Sequence, residues 1–278
     1  MIKRLIHYGC SFAIGNAVPH FVPGLPGDVA PHIHKMGKEI RELAEKYKFV
    51  PHEPITCGKF LADKLKLEYK RFAENGASNE MIFRKVLETK LEDSFVLIGF
   101  TSYNRREALT TRRKPIHIDG YKPKEREGFE ARKYRNTHWH TWKMIGPGEE
   151  AKFKDIVFDP WKGEYTPAIE HELQIRTVMQ IIYMQNYLKN NNIPYLMFNA
   201  LWNGFDEPLT EECEKLLRQV DEKYYYKLKG DFAGSQHGWC MKEGLAVSEF
   251  DEHPTIEGHK QWGLQLLPLV EEILNASR

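Results

Sequence analysis

Short apolar runs recur along the chain, separated by longer segments in which apolar residues return at helical spacing. A continuous apolar run predicts a strand buried on both faces, as in a parallel sheet. Such runs lie at residues 3–9, 94–100 and 193–201, and the segment EYKRFA at 68–73 predicts a further short strand. The clearest of the four is SFVLIGF at 94–100.

Amphipathic segments between and after these strands predict helices. Ser78 or Asn79 is a suitable N-cap for the second of them, Thr210 for the fourth, and Pro268 predicts an interruption or bend in the last. The predicted helices cover residues 58–67, 79–91, 168–190, 210–225 and 255–276, with one more at 34–48. Alternation of strands and helices predicts an α/β fold, a three-layer α/β/α sandwich around a mostly parallel sheet of four or five strands.

Two segments break this alternation. Residues 16–56 are rich in Pro, Gly and His, and residues 101–168 are polar, charged and rich in turn-forming residues. Neither is apolar enough to predict a core of its own. We therefore expect a single domain over residues 1–278, with both segments as insertions that line the site.

Composition narrows the class of protein. Of 278 residues, 41% are hydrophobic and 28% charged, and the formal net charge is +1, so no global charge attracts nucleic acid or a membrane. No signal-peptide core and no membrane-spanning run is present, and we expect a cytoplasmic protein. The scattered cysteines predict free thiols in a reducing compartment; they are Cys10, Cys57, Cys213 and Cys240.

Small polar residues follow three of the predicted strands. The motifs are GCS at 9–11, NGASN at 75–79 and GFTS at 99–102, while DEHP at 251–254 precedes the last helix. Active sites of open α/β sheets form where parallel strands end at their carboxyl edge. We therefore expect these four motifs to meet there.

The residue types in these motifs suit nucleophilic catalysis. A serine on one loop with an acid and an imidazole on another supplies a nucleophile, a base and a group that orients the base. The candidates for these three roles are, in the same order, Ser11, His253 and Asp251. Because Pro254 favours extended backbone at the preceding residue, His253 is predicted to lie on a loop.

In content and order the four motifs resemble those of the SGNH (GDSL-type) hydrolases. The resemblance covers most of the chain and implies a flavodoxin-like sheet with Ser11 as nucleophile and Asp251 and His253 as its partners. It also implies an oxyanion hole made by the backbone N–H groups of Ser11 and Gly76. The third motif departs from the family, because Thr101 stands where an oxyanion-binding Asn is usual.

Both the third and the fourth motif depart from the pattern of the family. The Thr101 hydroxyl is the expected oxyanion donor, and Asn104 is a less favoured substitute that needs a different loop path. The family's usual Asp-x-x-His spacing puts its acid at the position of Phe250, so Asp251 is the candidate acid, and Glu249 is the other acid close by. Cys10, beside Ser11, is an alternative nucleophile that we do not favour.

The insertion carries basic and aromatic residues over 112–143. Tyr134, Trp139 and Trp142 are candidate substrate-binding residues for a carbohydrate, and the same composition permits contact with nucleic acid, which we do not favour. His-x-His pairs at 32–34 and 138–140 lack an identifiable third ligand, so neither a metal nor another cofactor is predicted.

The predicted function is therefore that of a serine esterase or acyl-hydrolase that works through an acyl-enzyme. An O-acetyl group on a carbohydrate is the suggested substrate, by analogy with the family. Two alternatives stay open: an acyltransferase of the same fold, and a catalytically weak protein that binds carbohydrate or nucleic acid. The sequence carries no indication of the oligomeric state.

Overall fold

The computed structural model describes residues 2–14, 55–73, 77–103, 105–110, 138–143, 167–246 and 252–277. Within these ranges, the structure describes only the backbone of residues 14, 106–110, 138–143 and 167–169. The predicted helix at 34–48 lies outside the described residues. Among the described helices, none is long and apolar enough to cross a membrane.

The core of the protein is a five-stranded parallel sheet. Its strands, in chain order, are β1 (Arg4–Gly9), β2 (Glu68–Ala73), β3 (Ser94–Phe100), β6 (Tyr195–Asn199) and β7 (Tyr225–Tyr226). They lie side by side in the order β2-β1-β3-β6-β7, and every adjacent pair is parallel. This confirms the predicted fold class, and it places the carboxyl ends of β1 and β3 next to each other.

Helices cover both faces of the sheet. They are α1 (Ser11–Ile14), α2 (Cys57–Leu65), α3 (Asn79–Glu88), α4 (Pro167–Asn190), α5 (Glu211–Leu217), α6 (Gln236–Lys242) and α7 (Ile256–Ala276). Successive strand residues point to opposite faces, so that Ile6 and Tyr8 pack with the α3–α4–α5 side, while Leu5 packs with the α2–α7 side. The result is the three-layer arrangement that the sequence predicts.

Helix starts follow the predicted caps. The Ser78 hydroxyl accepts a hydrogen bond from the Met81 N–H at 3.2 Å, which makes Ser78 rather than Asn79 the cap of α3. Thr210 caps α5 in the same way through the Cys213 N–H at 3.3 Å. Each hydroxyl satisfies a donor that the first helical turn leaves without a partner.

Several elements differ from the predicted ones, and α6 is a helix that was not predicted. The helix predicted at 210–225 ends at Leu217, because Tyr225 joins the sheet and its hydroxyl bonds the Asn199 side chain at 2.7 Å. The last helix, α7, runs without interruption through Pro268. The second insertion contains an antiparallel hairpin, β4 (Arg105–Thr110) and β5 (His138–Lys143), in which Arg105 lies opposite Lys143.

All four cysteines are buried free thiols. Burial, the largest influence, raises the pKa of Cys57 and of Cys240 to about 12 and that of Cys213 to about 11. Thiolates are the reactive form of cysteine, so these three side chains are chemically inert at neutral pH.

Candidate functional site

Ser11 lies at a sharp strand-to-helix turn at the carboxyl end of β1. The turn is closed by a hydrogen bond from the Ala13 N–H to the Cys10 carbonyl at 3.0 Å. A Cβ at Gly9 would lie 2.7 Å from the Ala13 Cβ, so this close approach requires glycine. The Cys10 side chain packs in the core, whereas Ser11 lines a pocket. This geometry favours Ser11 over Cys10 as the nucleophile.

His253 lies on the segment that leads into α7, as the following proline predicts. Pro254 forms an isolated antiparallel bridge with Ala246. The Thr255 hydroxyl donates to the Leu245 carbonyl at 2.9 Å and accepts from the Gly258 N–H at 3.0 Å. Backbone and cap together fix the position of the histidine relative to the start of α7.

Ser11 and His253 line the same pocket, which has a volume of about 270 Å³. The pocket lies at the carboxyl edge of the sheet, where the sequence motifs predict it. Its other lining residues are Phe12, Arg105, Leu201, His237 and Glu252.

Several predicted site residues are not described by the structure. Asp251, Gly76, Asn104 and Tyr134 lie outside the described residues, and Trp139 and Trp142 belong to β5, of which only the backbone is described. Their roles stay predictions.

Thr101 follows β3 directly and is fully buried. The Asn79 side chain binds its backbone on both sides, donating to the Thr101 carbonyl at 3.0 Å and accepting from the Thr101 N–H at 2.9 Å. The Thr101 hydroxyl accepts a hydrogen bond from the Arg105 guanidinium at 2.9 Å. Where the resemblance implies an Asn, the chain thus carries a threonine that holds an arginine of the pocket.

Replacing Asn79 by alanine is expected to lower the free energy of unfolding by about 2–4 kcal/mol, because two buried backbone groups of Thr101 lose their partner. Urea unfolding measures the change. Asn191→Ala is the matched control, because the amide of Asn191 donates to the Tyr187 carbonyl at an exposed helix end. Equal losses in both variants would contradict the proposed role of the Asn79 contact.

A second histidine, His237, faces the pocket from α6. Its Nε2 lies 2.7 Å from a Glu252 carboxylate oxygen. Burial, the largest influence, lowers the pKa of His237, and Glu252 opposes that effect. The Phe12 ring lies close to both imidazoles, with centroid distances of 5.1 Å to His253 and 5.7 Å to His237. The pocket therefore offers two candidate bases next to one aromatic ring.

Two further histidines are buried behind the pocket. His7 of β1 has Nδ1 3.4 Å from the Tyr69 hydroxyl, and His259 of α7 has Nδ1 3.1 Å from the Gln236 amide. Burial, the largest influence, lowers the pKa of each imidazole to about 3, with a smaller lowering from His259 at His7 and from His253 at His259. Both are therefore neutral at neutral pH.

The described residues contain no group of three His, Cys, Asp or Glu side chains close enough to hold a metal ion. Of the two His-x-His pairs, the one at 32–34 lies outside the described residues, and the one at 138–140 is described in backbone only.

Sequence reasoning missed three polar residues of the pocket. Arg105 lies four residues after Thr101, and Glu252 belongs to the DEHP motif. Both are therefore close in sequence to residues that were predicted to form the site. No sequence signal indicated His237, because α6 itself was not predicted. Its position depends on a backbone bond from the His237 N–H to the Ala200 carbonyl at 3.1 Å.

Comparisons with known proteins give distant structural likenesses alone. No model of a known protein family matches the chain, and no curated protein matches its sequence. Among solved structures, a carbohydrate esterase family 2 enzyme of Corynascus thermopiles (Myceliophthora fergusii) aligns over 98% of this chain and 67% of its own, with 10% identity and a TM-score of 0.41.

Two other solved structures align at similar levels. The acetyl xylan esterase Est2A of the rumen bacterium Butyrivibrio proteoclasticus gives 11% identity and a TM-score of 0.39 over 98% of this chain and 64% of its own. The lipase Lip_vut3 from a goat rumen metagenome gives 13% identity and a TM-score of 0.35 over 99% of this chain and 97% of its own. This chain thus spans about two thirds of the length of the two esterases. Likenesses this distant assign neither a family nor a site residue.

Proposed function

We propose that the protein hydrolyses esters of small acyl groups, with Ser11 as the nucleophile and His253 as the base. One observation carries the proposal: a serine mounted on a tight strand-to-helix turn and a loop histidine line one pocket at the carboxyl edge of a parallel sheet. This is the arrangement that the order of the sequence motifs predicts.

The reaction follows from the roles of these groups. The Ser11 Oγ attacks the ester carbonyl carbon while the His253 imidazole takes its proton. The tetrahedral oxyanion collapses, the C–O bond to the alcohol breaks, and the alcohol leaves with the proton from His253. Water then attacks the acyl-enzyme, gives a proton to the imidazole, and releases the carboxylic acid as the proton returns to Ser11. Asp251 is proposed to orient the imidazole.

The oxyanion is proposed to bind the backbone N–H groups of Ser11 and Gly76. The Thr101 hydroxyl is a third proposed donor, since a hydroxyl that accepts from Arg105 keeps its own proton for donation. Asn79 supports this role, because two hydrogen bonds fix the backbone that carries the hydroxyl.

The size of the pocket supports a small acyl group. A volume of about 270 Å³ lies just below the usual range of ligand sites, about 300–1,000 Å³, which favours a short acyl chain over a long one. An O-acetyl group on a carbohydrate is the proposed substrate, with Tyr134, Trp139 and Trp142 as the proposed sugar contacts. Comparing acetyl, butyryl and octanoyl 4-nitrophenyl esters tests the size limit, and equal rates for all three would contradict it.

The His237–Glu252 pair is a specific competitor for the role of base. A carboxylate at 2.7 Å from one ring nitrogen orients an imidazole as the acid of a triad does. Assigning the base to His253 or to His237 predicts different effects of replacing each histidine. His253→Ala is expected to abolish activity and His237→Ala to leave at least a tenth of it; the reverse result would assign the base to His237.

Covalent labelling tests the nucleophile itself. A fluorophosphonate probe is expected to react with wild-type protein, with the Ser11 Oγ displacing fluoride at phosphorus, and mass spectrometry would locate the adduct. His253→Ala is expected to react much more slowly, because the hydroxyl then has no base. An adduct on another residue, or none on a folded protein that hydrolyses esters, would overturn the assignment of Ser11.

A further inference from the structure

The guanidinium of Arg105 lies in the pocket, and the proposed catalytic steps do not use this cation. It is the first residue of β4, and its N–H bonds the Ser102 carbonyl at 3.2 Å, which ties the start of the hairpin to the loop after β3. Its guanidinium is partly buried, donates to the Thr101 hydroxyl, and lines the pocket beside Ser11 and His253.

The guanidinium lacks a carboxylate partner in the part of the chain that the structure describes. Its one hydrogen bond there goes to a neutral hydroxyl, through one of the five N–H donors of the group. Glu252, the acid among the described residues that line the pocket, bonds His237 instead, and its side chain is 54% exposed. The remaining donors of a partly desolvated arginine suit an anion.

The position of Arg105 is fixed before any ligand binds. Thr101, which holds the guanidinium, is itself held at both backbone groups by the buried Asn79. Preorganised donors favour binding of a negatively charged group.

We propose that the substrate carries a carboxylate near its scissile ester and that Arg105 binds this carboxylate. The inference rests on the proposed esterase function and narrows it to acidic esters. Because the arginine fork matches the two oxygens of a carboxylate, recognition selects a charged group of fixed geometry and not merely a polar one.

Matched substrates test the proposal. The 4-nitrophenyl monoester of succinic acid and its methyl-capped analogue share length and leaving group and differ in one negative charge. A second pair places the charge on the alcohol: phenyl acetate with a free or a methyl-capped carboxylate on the ring. Wild type is expected to prefer the acidic member of at least one pair by about 10–100-fold in kcat/KM, the usual range for a charged hydrogen bond.

Arg105→Gln is expected to abolish that preference, because its loss of kcat/KM, through a higher KM, is about 10–100-fold greater for the acidic ester than for the neutral one. Arg105→Lys should restore part of it. Arg176→Gln is the control, since Arg176 pairs with Glu172 on the exposed side of α4. Equal losses for acidic and neutral esters would overturn the proposal and assign Arg105 to the oxyanion. Absence of any preference in wild type would overturn it as well.

A binding measurement separates this proposal from the esterase function. Calorimetry with Ser11→Ala, which cannot turn the ester over, is expected to show tighter binding of the acidic ester than of the neutral one. The double variant Ser11→Ala/Arg105→Gln should bind both equally. That result would support Arg105 even in a protein that hydrolyses neither ester, and equal binding of both esters to Ser11→Ala would contradict it.

Discussion

Replacing Ser11 by alanine is expected to lower kcat for a short-chain chromogenic ester by about 10⁵-fold, with little change in stability. The loss is large because the hydroxyl forms the bond to the acyl group, so no acyl-enzyme can form without it. Residual activity reflects water attack assisted by the remaining donors of the pocket. Initial rates measured from the release of 4-nitrophenolate give the ratio.

Two control variants make this result specific. Ser102→Ala removes a nearby serine on the loop after β3, and Cys10→Ala removes the thiol next to the nucleophile, which is packed in the core. Both are expected to keep kcat within a few-fold of wild type. Activity that persists in Ser11→Ala and falls in Cys10→Ala would move the nucleophile to the thiol, and persistence in all three would refute a covalent mechanism at this site.

Stability is expected to fall by about 4 kcal/mol between neutral pH and pH 5, through the two buried histidines behind the pocket. His7 and His259 have a pKa of about 3 in the folded protein and about 6.5 in the unfolded chain. Below pH 6.5 the unfolded state therefore binds more protons, so lower pH favours unfolding. At pH 5 the difference corresponds to about 2 kcal/mol for each imidazole.

Urea unfolding at neutral pH and at pH 5 measures this loss. Most carboxylates titrate below pH 5, so they contribute little to the change in stability between neutral pH and pH 5. His259→Gln keeps a side chain that can bond Gln236 but cannot take a proton, so its stability should depend on pH about half as steeply as that of wild type. An unchanged slope in this variant, or a wild type that is equally stable at both pH values, would contradict the assignment.

The sheet was predictable because burial on both faces leaves a strong mark on a strand. SFVLIGF and YLMFN are apolar at nearly every position. The short strand β7 was not predictable, because two tyrosines at the end of an amphipathic segment carry no strand pattern. A tertiary contact with Asn199 decides their conformation.

The site was predictable where its residues stand next to strand ends, and less so elsewhere. Ser11 and Thr101 follow the carboxyl ends of neighbouring strands, so topology alone brings them to one edge of the sheet. His237 enters from a short helix whose placement depends on packing against the loop after β6. Arg105 depends on a side-chain bond to Thr101, and no periodicity encodes such a contact.

The hairpin that supplies Arg105 stands outside the five-stranded sheet, whereas Ser11 follows a strand of the sheet and His253 precedes a helix packed on it. Under the two proposals, bond making and substrate choice thus depend on separate pieces of chain. A hairpin of different sequence, grafted between residues 103 and 167, would then change which esters are accepted while leaving the nucleophile and its base in place. Substrate selectivity could then be changed by exchanging the hairpin alone.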